Sequence, residues 1–130
     1  MSGTTEKGYR KLRVYQEGHK LAKEIYLVTD SFPKSEMFGL VSQMRRSSVS
    51  VVANILEGQA RNSKKEFKQF LSIANGSLVE LEYYLELSLD LKYIDRNQYD
   101  ALENQRYVTG SLIGGLMKHL KQIHSVQLDT

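Results

Sequence analysis

Basic side chains gather where one predicted helix ends and the next begins: Arg61, Lys64, Lys65 and Lys68. Ser63, with Glu66 three residues later, matches a capping box and therefore predicts a helix start. Lysines are unfavourable at a helix N-terminus, whereas the free amide hydrogens there suit phosphate. One interpretation is sequence-independent binding to a nucleic-acid backbone. The alternative is an ordinary solvated helix end.

A second set of polar residues runs through the apolar stretch FGLVSQMRRSSVSVVANILEG, residues 38–58: Gln43, Ser47, Ser50, Asn54, Glu57 and, just beyond it, Arg61. Steps of four and three place these residues along one seam of a helix. Val41, Val49, Val52, Ala53 and Leu56 point in several other directions. This pattern predicts a helix with two buried surfaces, and hence a homo-oligomer. A central helix of a monomer is the alternative.

The sequence lacks the residue spacings that are typical of common catalytic and metal sites. The chain has no cysteine, which excludes disulfides and thiolate zinc sites. No glutamate precedes a histidine by three residues, as di-iron bundles require, and His19, His119 and His124 lack zinc spacing. The segment RVYQEGH, residues 13–19, faintly resembles a ribonuclease motif but lies in the wrong helix. We therefore predict no catalytic residue, metal or cofactor, and no enzyme.

Length and composition indicate one soluble domain. The chain has 130 residues, 41% hydrophobic and 25% charged, with a formal net charge of +3. No apolar run approaches the ~18 residues of a membrane span, and no signal peptide is recognisable, so a cytoplasmic protein is expected. We predict a flexible tail at 1–8, a bundle domain at 9–125 and a C-terminal tail at 126–130.

Periodicity and punctuation predict four helices. The first runs from about Leu12 to Ser31 and ends before Pro33. The second, with Ser35 as its N-cap, ends at a left-handed Gly58. The third covers about 64–91, with close backbone approach near Gly76, and the fourth runs from Asp95 to about His124. Short connections favour an all-α, up-down-up-down antiparallel bundle.

This topology would separate charge between the two ends of the bundle. One end would be basic, and its predicted nucleic-acid-binding residues are Arg10, Lys11, Arg13, Arg61, Lys64, Lys65, Lys68, Lys118 and Lys121. The other end would be acidic, with Asp30, Glu36, Glu86, Asp90, Asp95, Asp100 and Glu103 against Lys34, Lys92 and Arg96. In a ring of parallel subunits, the basic ends would form one positive face.

Two blocks of this chain resemble a known family. They are Q-x-R-R-S-S-V-S-x-x-x-N-I-x-E-G, from Gln43 to Gly58, and G-S-L-x-E-L-E, from Gly76 to Glu82. The chain resembles the four helix bundle proteins encoded in intervening sequences of bacterial 23S ribosomal RNA genes. The resemblance implies a ring-like homopentamer without known catalytic residues. The family is related to accessory proteins of diversity-generating retroelements. This relationship implies two kinds of partner: a nucleic acid, either RNA or DNA, and a reverse transcriptase or another protein.

The resemblance also carries a set of signature positions, which we interpret as a structural polar seam: Gln43, Arg45, Arg46, Ser47, Ser50, Asn54, Glu57 and Glu80, with Gly58, Gly76 and Ser77. Glu80 is the expected partner of Arg45 or Arg46, in the same or a neighbouring subunit, because an unpaired buried charge costs several kcal/mol. A ligand-binding polar groove is the alternative. For the whole protein, a nucleic-acid-binding accessory factor competes with a scaffold that docks an acidic protein.

Overall fold

The computed structural model describes Gly8 and residues 12–129, with side chains as far as Lys121. This part of the chain contains four α-helices and no strand, as the sequence predicts. The helices are α1 (Arg13–Thr29), α2 (Leu40–Gln59), α3 (Lys64–Asp90) and α4 (Arg96–Asp129). They form a four-helix bundle in which α1 packs against α2 and α4, and α3 packs against the same two helices.

The starts of α3 and α4 follow their sequence signals. Ser63 Oγ accepts a hydrogen bond from the Glu66 amide at 3.2 Å. At α4 the capping box is reciprocal: the Gln98 amide donates to Asp95 Oδ1 at 2.7 Å, and the Asp95 amide donates to Gln98 Oε1 at 2.9 Å. The far end of α4 differs from the prediction, because the helix continues to Asp129 rather than ending near His124.

The start of α2 corrects the prediction that Phe38–Gly58 is one helix capped by Ser35. A 3-10 turn, Lys34–Glu36, comes first, and α2 begins only at Leu40. The cap is a carboxylate from outside the helix: Glu36 Oε1 accepts from the Leu40 amide at 3.3 Å. Glu36 Oε2 accepts the Tyr93 hydroxyl at 2.8 Å, which ties this turn to the α3–α4 connection.

The core is aliphatic and lies between all four helices. Its fully buried large side chains are Leu21 and Ile25 of α1, Met44, Val51 and Ile55 of α2, Leu71, Leu78, Leu81 and Leu85 of α3, and Ile113 of α4. These positions recur at three- and four-residue steps, so each helix presents one stripe to the centre. Burial of this apolar surface is the main stabilising contribution to the fold.

Gly58 and Gly76 both differ from their predicted roles. No described glycine has a positive φ, and Gly58 lies inside α2 rather than at a left-handed end. A Cβ on Gly58 would lie 2.7 Å from Phe70 Cβ and 2.9 Å from Phe67 Cδ1, so this glycine permits close packing of α2 on α3. Gly76 is exposed, with nothing near its missing Cβ.

Gly58→Ala therefore tests the α2–α3 contact. Alanine adds up to about 1 kcal/mol of helix propensity, but overpacking against a Cβ atom fixed to the backbone costs about 1–3 kcal/mol. We expect a net loss of about 1–2 kcal/mol in the free energy of unfolding, measured by urea denaturation. Gly76→Ala is the matched control and should be neutral or stabilising. A Gly58→Ala protein as stable as the wild type would refute the close-packing role.

Candidate nucleic-acid interface and polar groove

Arg61, in the connection between α2 and α3, is held on the surface. Its guanidinium donates to Glu57 Oε1 at 2.6 Å and lies 5.2 Å from the centre of the Phe70 ring. Both partners of the ion pair are about half exposed, at 43% and 54%. Such a pair contributes at most about 1 kcal/mol, so Arg61 can exchange its carboxylate partner for a phosphate at little cost.

Lys64 and Lys65 begin α3 and are exposed. Neither forms an ion pair with a described residue. The Ser63 cap satisfies the Glu66 amide, and the amides of Lys64 and Lys65 have no acceptor within the helix, as at any helix start. Lys68, one turn further on, is half-buried. This stretch thus combines unpaired ammonium groups with free backbone donors.

The remaining members of the predicted basic set lie on the other two helices. Arg13 begins α1, and Lys118 and Lys121 lie late in α4; all three are exposed. Within the described part of the chain, none of them forms an ion pair with an acidic residue. Arg10 and Lys11 lie outside the described residues.

Among the cations of the predicted acidic end, Lys34 and Lys92 are exposed and form no ion pair with a described residue. Arg96 pairs with Asp100 at 3.2 Å. Arg106, further along α4, donates to Glu103 at 2.8 Å through Nε and to Glu82 at 2.9 Å through Nη2. The hydrogen bond that Arg106 donates to the Glu103 carboxylate raises the pKa of the guanidinium, in opposition to burial, which lowers it. This arginine is committed to joining α3 and α4.

The middle of the polar seam lies in the α2–α3 contact. Ser50 and Ser77 share a hydrogen bond between their hydroxyls at 2.9 Å. Asn54 Nδ2 donates to the Ser50 carbonyl at 2.8 Å and to Ser50 Oγ at 3.0 Å, and Ser47 Oγ donates to the Met44 carbonyl at 3.1 Å. Of these hydrogen bonds, the one between Ser50 and Ser77 joins α2 to α3, and the others lie within α2.

The ends of the seam correct the expectation that it is buried throughout. Gln43, Arg46 and Glu57 are exposed, whereas Ser47 is buried and Ser50 and Asn54 are half-buried. Glu80 forms no ion pair with either arginine of its own subunit. Arg45 lies on the opposite side of α2 from Glu80.

Arg45 is instead bound to α1. Its Nε donates to Thr29 Oγ1 at 3.0 Å, and Nη2 donates to the Tyr26 carbonyl at 3.3 Å. The guanidinium also lies 4.6 Å from the centre of the Tyr26 ring. The sequence could not reveal this partner, because Thr29 Oγ1 and a backbone carbonyl carry no charge that a pairing argument would detect.

Between α2 and α3 lies a polar groove of about 390 Å³, which the sequence argument raised only as an alternative. Its lining residues are Gln43, Arg46, Ser47, Ser50, Ile73, Ser77 and Glu80. Glu80 Oε2 accepts the Tyr84 hydroxyl at 3.4 Å. Burial, and then the Glu80 carboxylate, raise the pKa of Tyr84, while the positive charge of Arg46 opposes the rise.

Neither a metal centre nor a membrane span is found in the described part of the chain. No three His, Asp or Glu side chains there are placed to hold a metal ion. No described helix combines the length and the apolar character needed to cross a bilayer. The geometry thus offers two surfaces for function, the basic stretch around α3's start and the polar groove.

Comparison with known proteins identifies the family. A family model described as 23S rRNA-intervening sequence protein matches residues 10–115, most of the chain. The chain belongs to this family. This match to the 23S rRNA-intervening sequence family confirms the resemblance that the two sequence blocks indicate. Its model ends within α4, so Lys118 and Lys121 lie beyond the matched region.

A solved member has a similar fold. It is a protein of unknown function from the S23 ribosomal protein family of Bacteroides thetaiotaomicron VPI-5482, determined at 1.70 Å resolution. The two share 30% identity with a TM-score of 0.73, over 81% of this chain and 98% of the other. No curated protein matches the chain. The family assignment thus brings a fold but no activity.

Proposed function

We propose that this protein is a non-enzymatic, homopentameric accessory factor that binds nucleic-acid backbone through a basic end of its bundle. The observation that carries the proposal is the stretch from Arg61 to Lys68. It combines unpaired lysines with the free amides of a helix start. Because lysine ammonium groups and backbone amides bind phosphates rather than base edges, the expected binding is independent of sequence.

The proposal includes antiparallel packing of neighbouring helices, which the residue contacts support. Ser88 Oγ of α3 meets Met44 Sδ of α2 at 3.5 Å, and Gly58 of α2 meets Phe70 of α3. Residue numbers thus rise along α2 as they fall along α3. Short connections between consecutive helices favour the same arrangement throughout.

Antiparallel packing would also bring the α4 lysines to the start of α3. Arg106 of α4 reaches Glu82 of α3, and Gly110 lies 3.6 Å from Leu78 Cδ1 when a Cβ is built on it. Continuing this register by about two helical turns brings Lys118 to the first turns of α3. The unpaired cations of both helices would then face the same phosphates.

The salt dependence of binding tests this proposal. We expect fluorescence anisotropy to show binding to duplex DNA, single-stranded DNA and structured RNA. The logarithm of the association constant should fall linearly with the logarithm of salt concentration, with a slope of about −0.7 to −0.9 per phosphate contacted. A slope near zero, or no binding at low salt, would contradict the proposal.

A protein-docking scaffold is the second candidate, and exposed apolar side chains on α3 favour it. Ile73, Val79 and Tyr83 are 53%, 57% and 58% exposed. Apolar residues grouped on one helix are typical of protein interfaces. If the protein does not bind nucleic acid, the favoured partner is an acidic protein that docks on the same basic end.

The proposed ring needs two different contact surfaces on each subunit, because a cyclic assembly larger than a dimer joins unlike patches. Phe38 is the first: its side chain is 96% exposed. The surrounding turn is fixed by hydrogen bonds from the Met37 amide to the Lys34 carbonyl and from the Gly39 amide to the Glu36 carbonyl. An exposed aromatic side chain on a hydrogen-bonded turn is well suited to enter a neighbour's pocket.

A groove between α1 and α4 supplies the second surface. It measures about 350 Å³ and is lined by Glu24, Leu27, Val28, Gln98, Ala101 and Leu102. Leu27 is 69% exposed. Phe38 follows α1, and the groove lies at the last turns of α1 and the first turns of α4, so both surfaces lie near one end of the bundle. Joining them would leave the basic ends free on one side of the ring.

A further inference from the structure

The polar groove between α2 and α3 contains two opposite charges that do not neutralise each other directly. Arg46 stands on the α2 side and Glu80 on the α3 side. No ion pair joins them within the described chain. Both side chains line the same groove, and Glu80 also accepts a hydrogen bond from the Tyr84 hydroxyl.

The rim of the groove has unused hydrogen-bonding capacity. The Arg46 guanidinium and the side-chain amide of Gln43 form no hydrogen bond with any described protein group, and both side chains are exposed. Glu80 accepts only the 3.4 Å hydrogen bond from Tyr84. A guanidinium carries five donors in a planar fork and a carboxylate about four acceptor positions, so most of both sets is available.

The floor of the groove is already fixed. Ser50 and Ser77 bind each other, and Asn54 donates two hydrogen bonds to Ser50. Ser47 and Ser77 are 5% and 7% exposed, so their hydroxyls form a rigid polar base. Ile73 supplies one apolar wall. A site whose supporting side chains are already bound to one another loses little conformational entropy on binding.

We infer that this groove binds a small zwitterion of amino-acid size, with its carboxylate on Arg46 and its ammonium on Glu80. A simple anion would meet the charge of Glu80, and a simple cation would meet that of Arg46. A ligand with both charges satisfies the two groups at once through charge-assisted hydrogen bonds. The volume of about 390 Å³ accommodates such a ligand. The inference is independent of nucleic-acid binding.

Isothermal titration calorimetry with the full-length protein tests the inference. The probes are L-alanine, L-serine and L-glutamine, with acetate and methylammonium as half-ligands. We expect at least one amino acid to bind at least tenfold more tightly than either half-ligand, because each half-ligand leaves one charge of the groove without a partner. Half-ligands that bind as well as every amino acid, or no binding at millimolar concentration, would overturn the inference.

Two substitutions locate the site. Arg46→Gln and Glu80→Gln should each raise the dissociation constant at least tenfold. Their matched controls are Arg96→Gln and Glu86→Gln, which alter exposed residues of α4 and α3 that do not line the groove. Both controls should leave the dissociation constant unchanged. Arg46→Gln should keep the wild-type melting temperature, since Arg46 makes no hydrogen bond within the described chain. Equal affinity in all four variants would show that the ligand binds elsewhere and would refute the groove as its binding site.

Discussion

Reversing three lysines at the start of α3 should abolish nucleic-acid binding. In the variant Lys64→Glu, Lys65→Glu, Lys68→Glu, we expect affinity for RNA and DNA to fall by about a hundredfold or more at low salt. The physical reason is that each lysine that contacts a phosphate releases a counterion, and each glutamate repels that phosphate. The remaining salt slope should be smaller by about one for each phosphate that the variant no longer neutralises. Fluorescence anisotropy measures both quantities.

The folded state should tolerate this change. Lys64 and Lys65 lie in the first turn of α3, where glutamate interacts favourably with the helix dipole and lysine does not. This gain should offset the change at the half-buried Lys68, one turn further on, so the melting temperature should stay close to that of the wild type. The control is Lys34→Glu, Lys92→Glu, Arg96→Glu, which applies the same change of charge in the predicted acidic end. Equal loss of binding in both variants would show that net charge, and not the start of α3, determines affinity.

Placing a charge on Phe38 should dissolve the assembly. In a ring, every subunit contact would contain one Phe38 in one α1–α4 groove, and a buried aromatic anchor contributes about 2 kcal/mol or more to such a contact. Phe38→Asp would also leave an unpaired carboxylate in an apolar groove. We expect a monomer by size-exclusion chromatography with light scattering. Tyr107→Asp, at another exposed aromatic residue of 66% exposure, should leave the ring intact.

A mixing experiment distinguishes this arrangement from other oligomers. Leu27→Asp should also give a monomer, because it places a charge in the groove. The Leu27→Asp protein keeps an intact Phe38, and the Phe38→Asp protein keeps an intact groove. Mixed together, they can form one native contact and therefore a 1:1 dimer that grows no further. A wild-type monomer would contradict the ring itself, whereas a Phe38→Asp ring would contradict only this contact.

Features of the fold that depend on neighbouring residues in sequence are predictable. Ser63 and Asp95 cap their helices as the capping-box pattern predicts, since the partner of each lies three residues away. Pro33 follows the end of α1 for the same local reason. Periodicity also places most of the core, because a stripe of leucines needs no knowledge of the partner helix.

Features that depend on distant residues are not predictable in this way. The sequence favours a left-handed helix end at Gly58, because its position along the chain does not reveal that Phe70 packs against it. A charge argument gives Arg45 a carboxylate partner, but its partners on α1 are uncharged. Phe38 matches an apolar helical pattern, and only the cap from Glu36 fixes it outside α2 in solvent.

The candidate sites show the same division. The basic residues at the start of α3 can be found from sequence, since charge and a capping signal are both local. The opposed charges of Arg46 and Glu80 are recognisable as a pair, but the open groove between them depends on how α2 and α3 pack. A salt bridge and a ligand site use the same residue types, so only the separation of the two charges distinguishes them.

Lysine footprinting maps the surface of the protein that nucleic acid covers. The protein is acetylated briefly with and without a structured RNA, and modification at each lysine is measured by mass spectrometry. We expect RNA to protect Lys64, Lys65, Lys118 and Lys121, while Lys34 and Lys92 react as in the free protein. Protection confined to Lys34 and Lys92, or equal protection of all six lysines, would contradict the assignment of the basic end as the nucleic-acid interface.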